Sequence, residues 1–501
     1  MTALRLGVDV GGTNTDGVVV DEAGTVLASQ KVPTTPDPMD GIRAAMSAVI
    51  ERDDKASSVQ VMLGTTQPAN PIIQRKGLDT IGILRVAGPS SYAVRPGAAW
   101  PPELLQAILG PSAIVDGGFE YDGREIAPLE EEAIRRYAGE VAGKVSAIAV
   151  SSPFSPASYG HEDRTAEILA EELGDEVAVT VSHEIGSLGL LEREDAAALN
   201  ASLLSVSRAV VDGLAQAIAD NGLAVDSYLT QNDGTLMTSE QAVKYPVLTL
   251  ASGPTNSMRG ASALAGLSDA LVIDVGGTST DVGILVDGFP RESMHAVEVG
   301  GVRTNFRMPD LISIGLGGGT IVHDATRIGP DSVGYRVVDE ALVMGGDVPT
   351  LSDVSVRAGR LTGFGDPALA SKLDATAADA ALAWVDEQVQ ILADRMKASR
   401  QALPLIAVGG GSHLVPDEVP GTSEICCTLV AHGGDLNGPI ALIDLKKGPF
   451  DPGAITKITP DVPAQYHMSW IRQECFRDPV PISRDYVLCS HAPHNVFGLC
   501  V

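Results

Sequence analysis

At 501 residues the chain exceeds one ordinary domain, and 44% hydrophobic with 20% charged residues is a globular composition, so two or three domains are expected with no need of disulfide or metal staples. A formal net charge of −29 argues against nucleic acid as the main partner, because phosphate backbones reward Lys and Arg; an anionic ligand would need backbone N–H groups and a bound cation. No apolar run approaches the roughly 18 residues of a membrane helix, and Met1-Thr2-Ala3-Leu4-Arg5-Leu6 runs into a strand without an apolar leader, which reads as a cytoplasmic protein.

The first element is a hairpin. Leu6-Gly-Val-Asp-Val-Gly-Gly-Thr-Asn-Thr-Asp16 is an apolar strand that turns at Gly-Gly and returns through Gly17 to Asp21. Pro101-Pro102-Glu103 marks a helix start, and Ala197 to Ile218 reads as one packed helix with Leu199, Leu203, Val206, Val210, Leu214 and Ile218 at helical spacing. Val272-Ile-Asp-Val-Gly-Gly-Thr-Ser-Thr-Asp281 then repeats the first hairpin, with seven of eight positions of Asp-Val-Gly-Gly-Thr-x-Thr-Asp identical, and a second apolar strand, Val282 to Val286, follows. Residues 350–365 are polar and read as a loop over a cleft, and Thr376 to Asp394 as an amphipathic helix. Pro404-Leu-Ile-Ala-Val-Gly-Gly-Gly-Ser412 is a strand ending in three glycines. All five cysteines (Cys426, Cys427, Cys475, Cys489, Cys500) fall after residue 425. Their odd count opposes a disulfide framework, and Cys475, Cys489, His491 and His494 match no zinc-finger spacing.

The repeated turn has a chemistry. Paired glycines let backbone N–H groups approach a phosphate, threonine hydroxyls add donors, and Asp9 and Asp274 at the strand ends suit Mg²⁺. Asp16 and Asp281 on the returning arms are placed to orient a nucleophile or a metal-bound water. The three late glycines leave room for a flat ring such as adenine. A P-loop is absent, and Ile314-Gly-Leu-Gly-Gly-Gly-Thr320 lacks the order of a dinucleotide loop.

With these motifs the sequence resembles the ATP-binding, N-methylhydantoinase A-like members of the hydantoinase/oxoprolinase family, in their short form, over residues 5 to 425. The resemblance is carried by Gly64-Thr-Thr66, Glu120-Tyr-Asp-Gly-Arg-Glu-Ile126, Ser182-His-Glu-Ile-Gly186, Thr230-Gln-Asn-Asp-Gly-Thr235, Ala251-Ser-Gly-Pro-Thr-Asn-Ser257, Gly300-Gly-Val-Arg-Thr-Asn-Phe306, Gly317-Gly-Gly319 and Gly345-Gly-Asp347. It implies an α/β fold, the duplicated actin-like ATPase fold of sugar kinases, heat-shock ATPases and actin, with two lobes around an ATP cleft. The expected domains are 1–195, 196–425 and a divergent tail, 426–501. The implied activity is ATP-dependent ring opening of a cyclic amide such as a hydantoin, 5-oxoproline or another lactam, through phosphorylation of the carbonyl oxygen.

Gly11, Gly12, Thr13 and Thr15, with Gly276, Gly277, Thr278 and Thr280, are then expected at the ATP phosphates, and Gly409, Gly410 and Gly411 at the adenosine. Asp9 and Asp274 are expected at Mg²⁺, with Mn²⁺ as the alternative ion, beside Asp16 and Asp281 as further catalytic carboxylates. Thr65, Thr66, Arg303 and Asn305 are expected at the substrate. The resemblance also implies an oligomer and a second subunit or an S-methyl-thiohydantoin-desulfurase-like partner. A small-molecule kinase, or a catalytically impaired nucleotide-binding protein, is the alternative activity. His161-Glu162 and His183-Glu184 match family positions and read either as metal or proton-transfer groups or as buried, hydrogen-bonded histidines. Asn14, Leu63 and Gln67-Pro68 depart from the family pattern, and after Glu424 the match fails where the family continues into a small-residue helix; a frameshift or mispredicted gene end would produce that change.

Overall fold

A computed structural model describes residues 4–10, 14–33, 38–50, 59–65, 68–223, 225–397, 402–416 and 419–420, and by backbone alone 422–426 and short strands beyond 441. Two compact units form: residues 1–255 with 292–309, and residues 256–291 with 310–501. The expected boundary at 195/196 falls inside helix Leu190–Ser202 of the first unit. Among the described residues no helix is long and apolar enough to cross a membrane.

The first unit opens with β1 (Leu4–Val10), β2 (Asn14–Val20), β3 (Val26–Pro33) and β4 (Val59–Thr65). Alternation makes β1 a half-buried strand: Leu4, Leu6, Val8 and Val10 enter the core, while Arg5, Gly7 and Asp9 face the other way. An inserted subdomain supplies β5 (Ile81–Gly88), β6 (Leu109–Asp116), β7 (Ala147–Ser151) and β8 (Ala178–Val181), before β9 (Ser227–Thr230) and β10 (Leu236–Thr238) rejoin the first sheet in the order β10-β9-β4-β1-β2-β3.

The second unit repeats this plan. β11 (Ala270–Val275) and β12 (Thr280–Val286) form its hairpin. Strand Leu311–Ile314 lies antiparallel to β12, as β3 does to β2, and strands Leu403–Val408 and Thr422–Cys426 continue in parallel beyond β11, as β4 and β9 do beyond β1. Two sheets with the same order and polarity are a structural duplication, and the fold is the duplicated α/β fold of actin-like ATPases.

The inserted sheet has the order β6-β5-β7-β8, all parallel. Its central strands β5 and β7 are buried on both faces, as parallel strands covered by helices are, while the edge strands β6 and β8 are only partly buried. Ile81, Ile83, Ala147 and Ala149 pack with Leu104, Ile108 and helix Leu190–Ser202 on one face; Leu84, Val86, Ile148 and Val150 pack with Ile134, Val141, Ile168 and Leu169 on the other.

Two local outcomes separate structure from sequence, and a third agrees. The expected single helix from Ala197 to Ile218 is two, Leu190–Ser202 and Leu204–Asp220. Asp79 makes the break: its N–H donates to the Ser202 carbonyl and its carboxylate accepts from the Ser205 N–H at 2.9 Å, which ends one helix and starts the next. The expected loop at 350–365 contains a buried helix, Leu351–Arg357, started by a capping box in which Thr350 and Asp353 bond each other's backbone. The amphipathic helix expected from Thr376 to Asp394 is present as Ala375–Met396, capped by Asp374. The tail's cysteine and histidine side chains lie outside the described residues.

Candidate active site

Both copies of the repeat are antiparallel hairpins with the same register. Asp9 stands opposite Asp16 and Val10 opposite Thr15; Asp274 stands opposite Asp281 and Val275 opposite Thr280. Like charges directly across a ladder are unfavourable, so two such pairs are a cost that a ligand would offset.

The copies differ at their third strands. Asp16 pairs across the sheet with Lys31, a half-exposed ion pair of 3.3 Å. The matching place in the second copy holds Ser313, whose hydroxyl donates to Asp281, and Ser257 donates to Asp274. Burial therefore dominates in the second copy. It raises the carboxyl of Asp274 above the ordinary aspartate range against the Ser257 hydrogen bond, and raises that of Asp281 against Ser313, with the charge of Asp274 adding to it. Two desolvated carboxylates that face each other, each with a hydroxyl donor, are a hard-oxygen donor set for a divalent ion. Among the described residues no group of three or more His, Cys, Asp or Glu is placed for a metal, so an ion here would take its remaining ligands from water or phosphate.

The turn of the second hairpin is gripped from behind. Gly276 N–H donates to the Ser279 carbonyl, and Gly318 and Gly319 donate to the carbonyls of Gly276 and Gly277 at 3.0 and 2.8 Å. Gly317 permits this grip, since a Cβ there would lie 2.6 Å from Thr278 N. The segment that superficially resembled a dinucleotide loop is thus a clamp on the hairpin. Gly277, Thr278 and Ser279 stay exposed at the tip, whereas Thr280 is fully buried and donates to the Leu316 carbonyl at 2.6 Å. Thr15 is equally buried in the first copy. Gly11, Gly12 and Thr13 lie outside the described residues.

The three late glycines reach the same edge. Val408 pairs with Asp274, Gly411 N–H donates to the Val275 carbonyl at 2.8 Å, and Gly409 and Gly410 are exposed. Gly409 adopts φ +87°, and a Cβ there would collide with Asp274 Oδ1 and the Val275 carbonyl. Gly409→Ala is expected to destabilise the second unit by more than about 1 kcal/mol, read as a lower urea midpoint.

The four residues expected at the substrate separate by partner. Thr65 is buried at the end of β4, with its N–H donating to Ser252 Oγ and its carbonyl accepting from the same hydroxyl, and Thr66 lies outside the described residues. Arg303 is 71% exposed and faces Glu192 at 3.6 Å. Asn305 Nδ2 donates to the carbonyls of Ser187, Leu188 and Gly189. Asn232, in the Thr230 to Thr235 motif, is a buried knot: it donates to the carbonyls of Val247 and Arg307 and accepts from Ala251 N–H.

Sequence reasoning missed Arg85, Ser151 and Glu194, which join the Glu162 and His183 it had singled out in a buried polar cluster on β5, β7 and the segment after β8. Arg85 forks onto both oxygens of Glu194 at 2.7 and 2.5 Å, and Ser151 donates to Glu194 at 2.8 Å. Glu162 accepts from the N–H of Ser152, the hydroxyl of Ser182 and the N–H of His183, and also holds His183 Nδ1 at 2.8 Å. Burial lowers the His183 pKa, but the Glu162 hydrogen bond and the charges of Glu162, Asp163 and Glu184 outweigh it and hold the imidazole above its ordinary value. His161 accepts from Gly118 N–H at 2.9 Å and is pushed down by burial, against the pull of Glu125.

Asp195, beside this cluster, is raised to about 7 by burial, against a hydrogen bond from Trp100 Nε1. An acid with a raised folded pKa stabilises the fold fully below its unfolded value near 3.9, and this contribution is lost as pH rises through about 7. The urea midpoint is therefore expected to fall between about pH 5 and pH 8 by less in Asp195→Asn than in the wild type.

The fold and the paired hairpins define an actin-like ATPase-type α/β protein. The hydantoinase/oxoprolinase N-terminal region model matches residues 5–173 and the hydantoinase/oxoprolinase model matches residues 193–399. The chain belongs to the hydantoinase/oxoprolinase family. It is 26% identical over 387 residues to the caprolactamase alpha subunit of Pseudomonas jessenii, covering 71% of this chain and 54% of that protein. To the acetophenone carboxylase gamma subunit of Aromatoleum aromaticum it is 29% identical over 393 residues, covering 70% and 52%. The chain thus spans about half the length of these curated relatives. Among solved structures, the ATP-dependent caprolactamase of Pseudomonas jessenii superposes with a TM-score of 0.66 at 23% identity, over 83% of this chain and 69% of that one. Nucleotide-free acetone carboxylase gives 0.59 at 21% identity, over 85% and 68%. These likenesses carry the fold.

Proposed function

We propose that the chain is the ATP-using subunit of a cyclic-amide hydrolase that phosphorylates the carbonyl oxygen of a lactam or hydantoin. The observation that carries this reading is the Asp274–Asp281 pair, desolvated and facing across the second hairpin, with exposed glycines of two loops at the same sheet edge. Family membership and a relative named as a caprolactamase subunit support the substrate class.

In this reading the exposed Gly277 and Thr278, with the half-buried Gly276 beside them, meet the outer phosphates, Gly409 to Gly411 flank the adenosine, and buried Thr15 and Thr280 hold the hairpins in shape. Gly11, Gly12 and Thr13 take the same part in the first copy. In each copy the carboxylate at the strand end, Asp274 or Asp9, would hold Mg²⁺, which would supply charge neutralisation to a bound phosphate. In each copy the carboxylate facing it, Asp281 or Asp16, would orient a nucleophile or a metal-bound water.

The chemistry explains the need for ATP. An amide carbon is a poor electrophile because nitrogen donates into the carbonyl. Transfer of the γ-phosphoryl group breaks its bond to ADP and forms a bond to the carbonyl oxygen, which turns the amide into an imidate with an electrophilic carbon and makes that oxygen part of a leaving group. Water then adds to the carbon, the C–N bond cleaves with the ring nitrogen taking a proton, and a second water at the same carbon releases phosphate with the former carbonyl oxygen. Relatives named as subunits support a partner that completes the hydrolysis.

The test is phosphate release from Mg·ATP by the full chain, alone and with a partner subunit of the family, across hydantoin, 5-oxoproline, caprolactam and bicarbonate. Release stimulated by a ring is expected. Stimulation by bicarbonate alone would replace hydrolysis with carboxylation, and no stimulation by any of them would reject the reading.

A further inference from the structure

The turn of the second hairpin keeps two backbone donors unused. Gly277 and Thr278 are exposed and lie outside the strands, and among the described residues neither N–H has a hydrogen-bond partner. Exposure alone assigns nothing to them, since water satisfies such groups. What matters is where they point and what holds them there.

Their direction follows from their carbonyls, because a trans peptide is planar with C=O and N–H on opposite edges. The Gly276 carbonyl accepts from Gly318 N–H at 3.0 Å, so the N–H of the same peptide, that of Gly277, faces away from the 317–319 segment. The Gly277 carbonyl accepts twice, from Gly319 N–H at 2.8 Å and from Ser332 Oγ at 3.2 Å, which turns Thr278 N–H the same way. The plane of that second peptide is set as well. A Cβ on Gly317 would lie 2.6 Å from both Gly277 C and Thr278 N and 2.7 Å from Gly277 O, so Gly317 sits on its face. Two successive N–H groups held on one side form a concavity that suits an anion.

Ser332 is the side chain that braces this turn directly. It ends strand Ile328–Ser332, 55 residues beyond Gly277 in sequence. Its hydroxyl donates to the Gly277 carbonyl and accepts from Gly334 N–H at 3.1 Å, while the next residue, Val333, donates its N–H to the Gly319 carbonyl at 2.9 Å. One hydroxyl thus ties the turn to the 332–334 loop. Ser352 acts one peptide further back: its N–H and its hydroxyl both donate to the Gly318 carbonyl at 2.9 Å, so its backbone bond survives loss of the hydroxyl.

We propose that Ser332 is a positioning residue for the outer phosphates of ATP, aiming the Thr278 N–H, and with it that of Gly277, through the Gly277 carbonyl. This rests on the reading of the second hairpin as a phosphate site, and it gives a role to a residue outside the repeated motif.

The experiment is calorimetric titration of the full chain with Mg·ATP, beside ring-stimulated phosphate release. Ser332→Ala is expected to weaken Mg·ATP binding about fivefold or more, and Ser332→Thr, which keeps the hydroxyl, to stay within about twofold of the wild type. Ser352→Ala is expected to weaken binding less than Ser332→Ala. Because Ser332 is only half-buried, the Tm of Ser332→Ala is expected within about 3 °C of the wild type. Equal affinity in Ser332→Ala and the wild type, a loss that Ser332→Thr shares, or no Mg·ATP binding by the wild type overturns the proposal. The two readings fail separately. Ring-stimulated phosphate release with an unchanged KM for ATP in Ser332→Ala would remove this role and leave the function. Ser332-dependent Mg·ATP binding without ring-stimulated release would keep the role and remove the function.

Discussion

Asp274→Asn and Asp281→Asn are each expected to lower ring-stimulated phosphate release by about 10²-fold or more while leaving the fold at least as stable as the wild type. The two halves of this expectation have one cause. Both carboxyls are partly buried and held above the ordinary range because their charged forms are desolvated, and each faces the other across the ladder. Asparagine keeps the shape and can still accept from Ser257 or Ser313, but it removes the charge that a phosphate-bound cation requires. Stability is therefore expected to stay level or rise, and Mg²⁺ affinity without nucleotide to fall. In the wild type that affinity is expected to fall as pH is lowered through the raised carboxyl range. Asp16→Asn makes a useful contrast: its partner is a half-exposed Lys31, so its stability effect is expected within about 1 kcal/mol. Urea midpoints and Mg²⁺ titrations separate these outcomes, and an Asp274→Asn protein with undiminished phosphate release would contradict them.

Arg85→Ala or Glu194→Ala is expected to destabilise the first unit by about 3–5 kcal/mol. The side chains are only 1% and 2% exposed, and the guanidinium forks onto the carboxylate. Removing either partner leaves a buried charge with no counterion, which is far more costly than the pair is stabilising. The double replacement Arg85→Met with Glu194→Leu is accordingly expected to recover most of the loss. Denaturation followed by the fluorescence of Trp100, whose indole bonds Asp195 next to Glu194, reports on this unit. Additive losses in the double variant would contradict the assignment.

The hairpins were legible because their information is local: eight consecutive residues set two strands and a turn, and their repetition gave the duplication. The helix Ala375–Met396 was legible for the same reason, through its amphipathic period, and the structure adds its Asp374 cap. What escaped was carried by distant partners. The break at Leu203 depends on Asp79, 126 residues before the Ser205 N–H that it accepts. Arg85 and Glu194 lie 109 residues apart, and nothing around either announces a buried pair. Ser313 gains meaning only from the register that puts it where Lys31 stands in the other copy. The capping box at Thr350 was local and readable, but the polar composition around it suggested a loop. Asn305 was picked out from its motif, and the structure adds the unpartnered Oδ1.

The central claim is that phosphate is transferred to the ring carbonyl oxygen, and oxygen tracing tests it most directly. Caprolactam or hydantoin labelled with ¹⁸O at the carbonyl would be turned over with Mg·ATP by the full chain and its partner subunit, and the released phosphate examined by mass spectrometry. The account predicts phosphate carrying one ¹⁸O atom per ring opened. Phosphate without label, released while the ring opens, would contradict it.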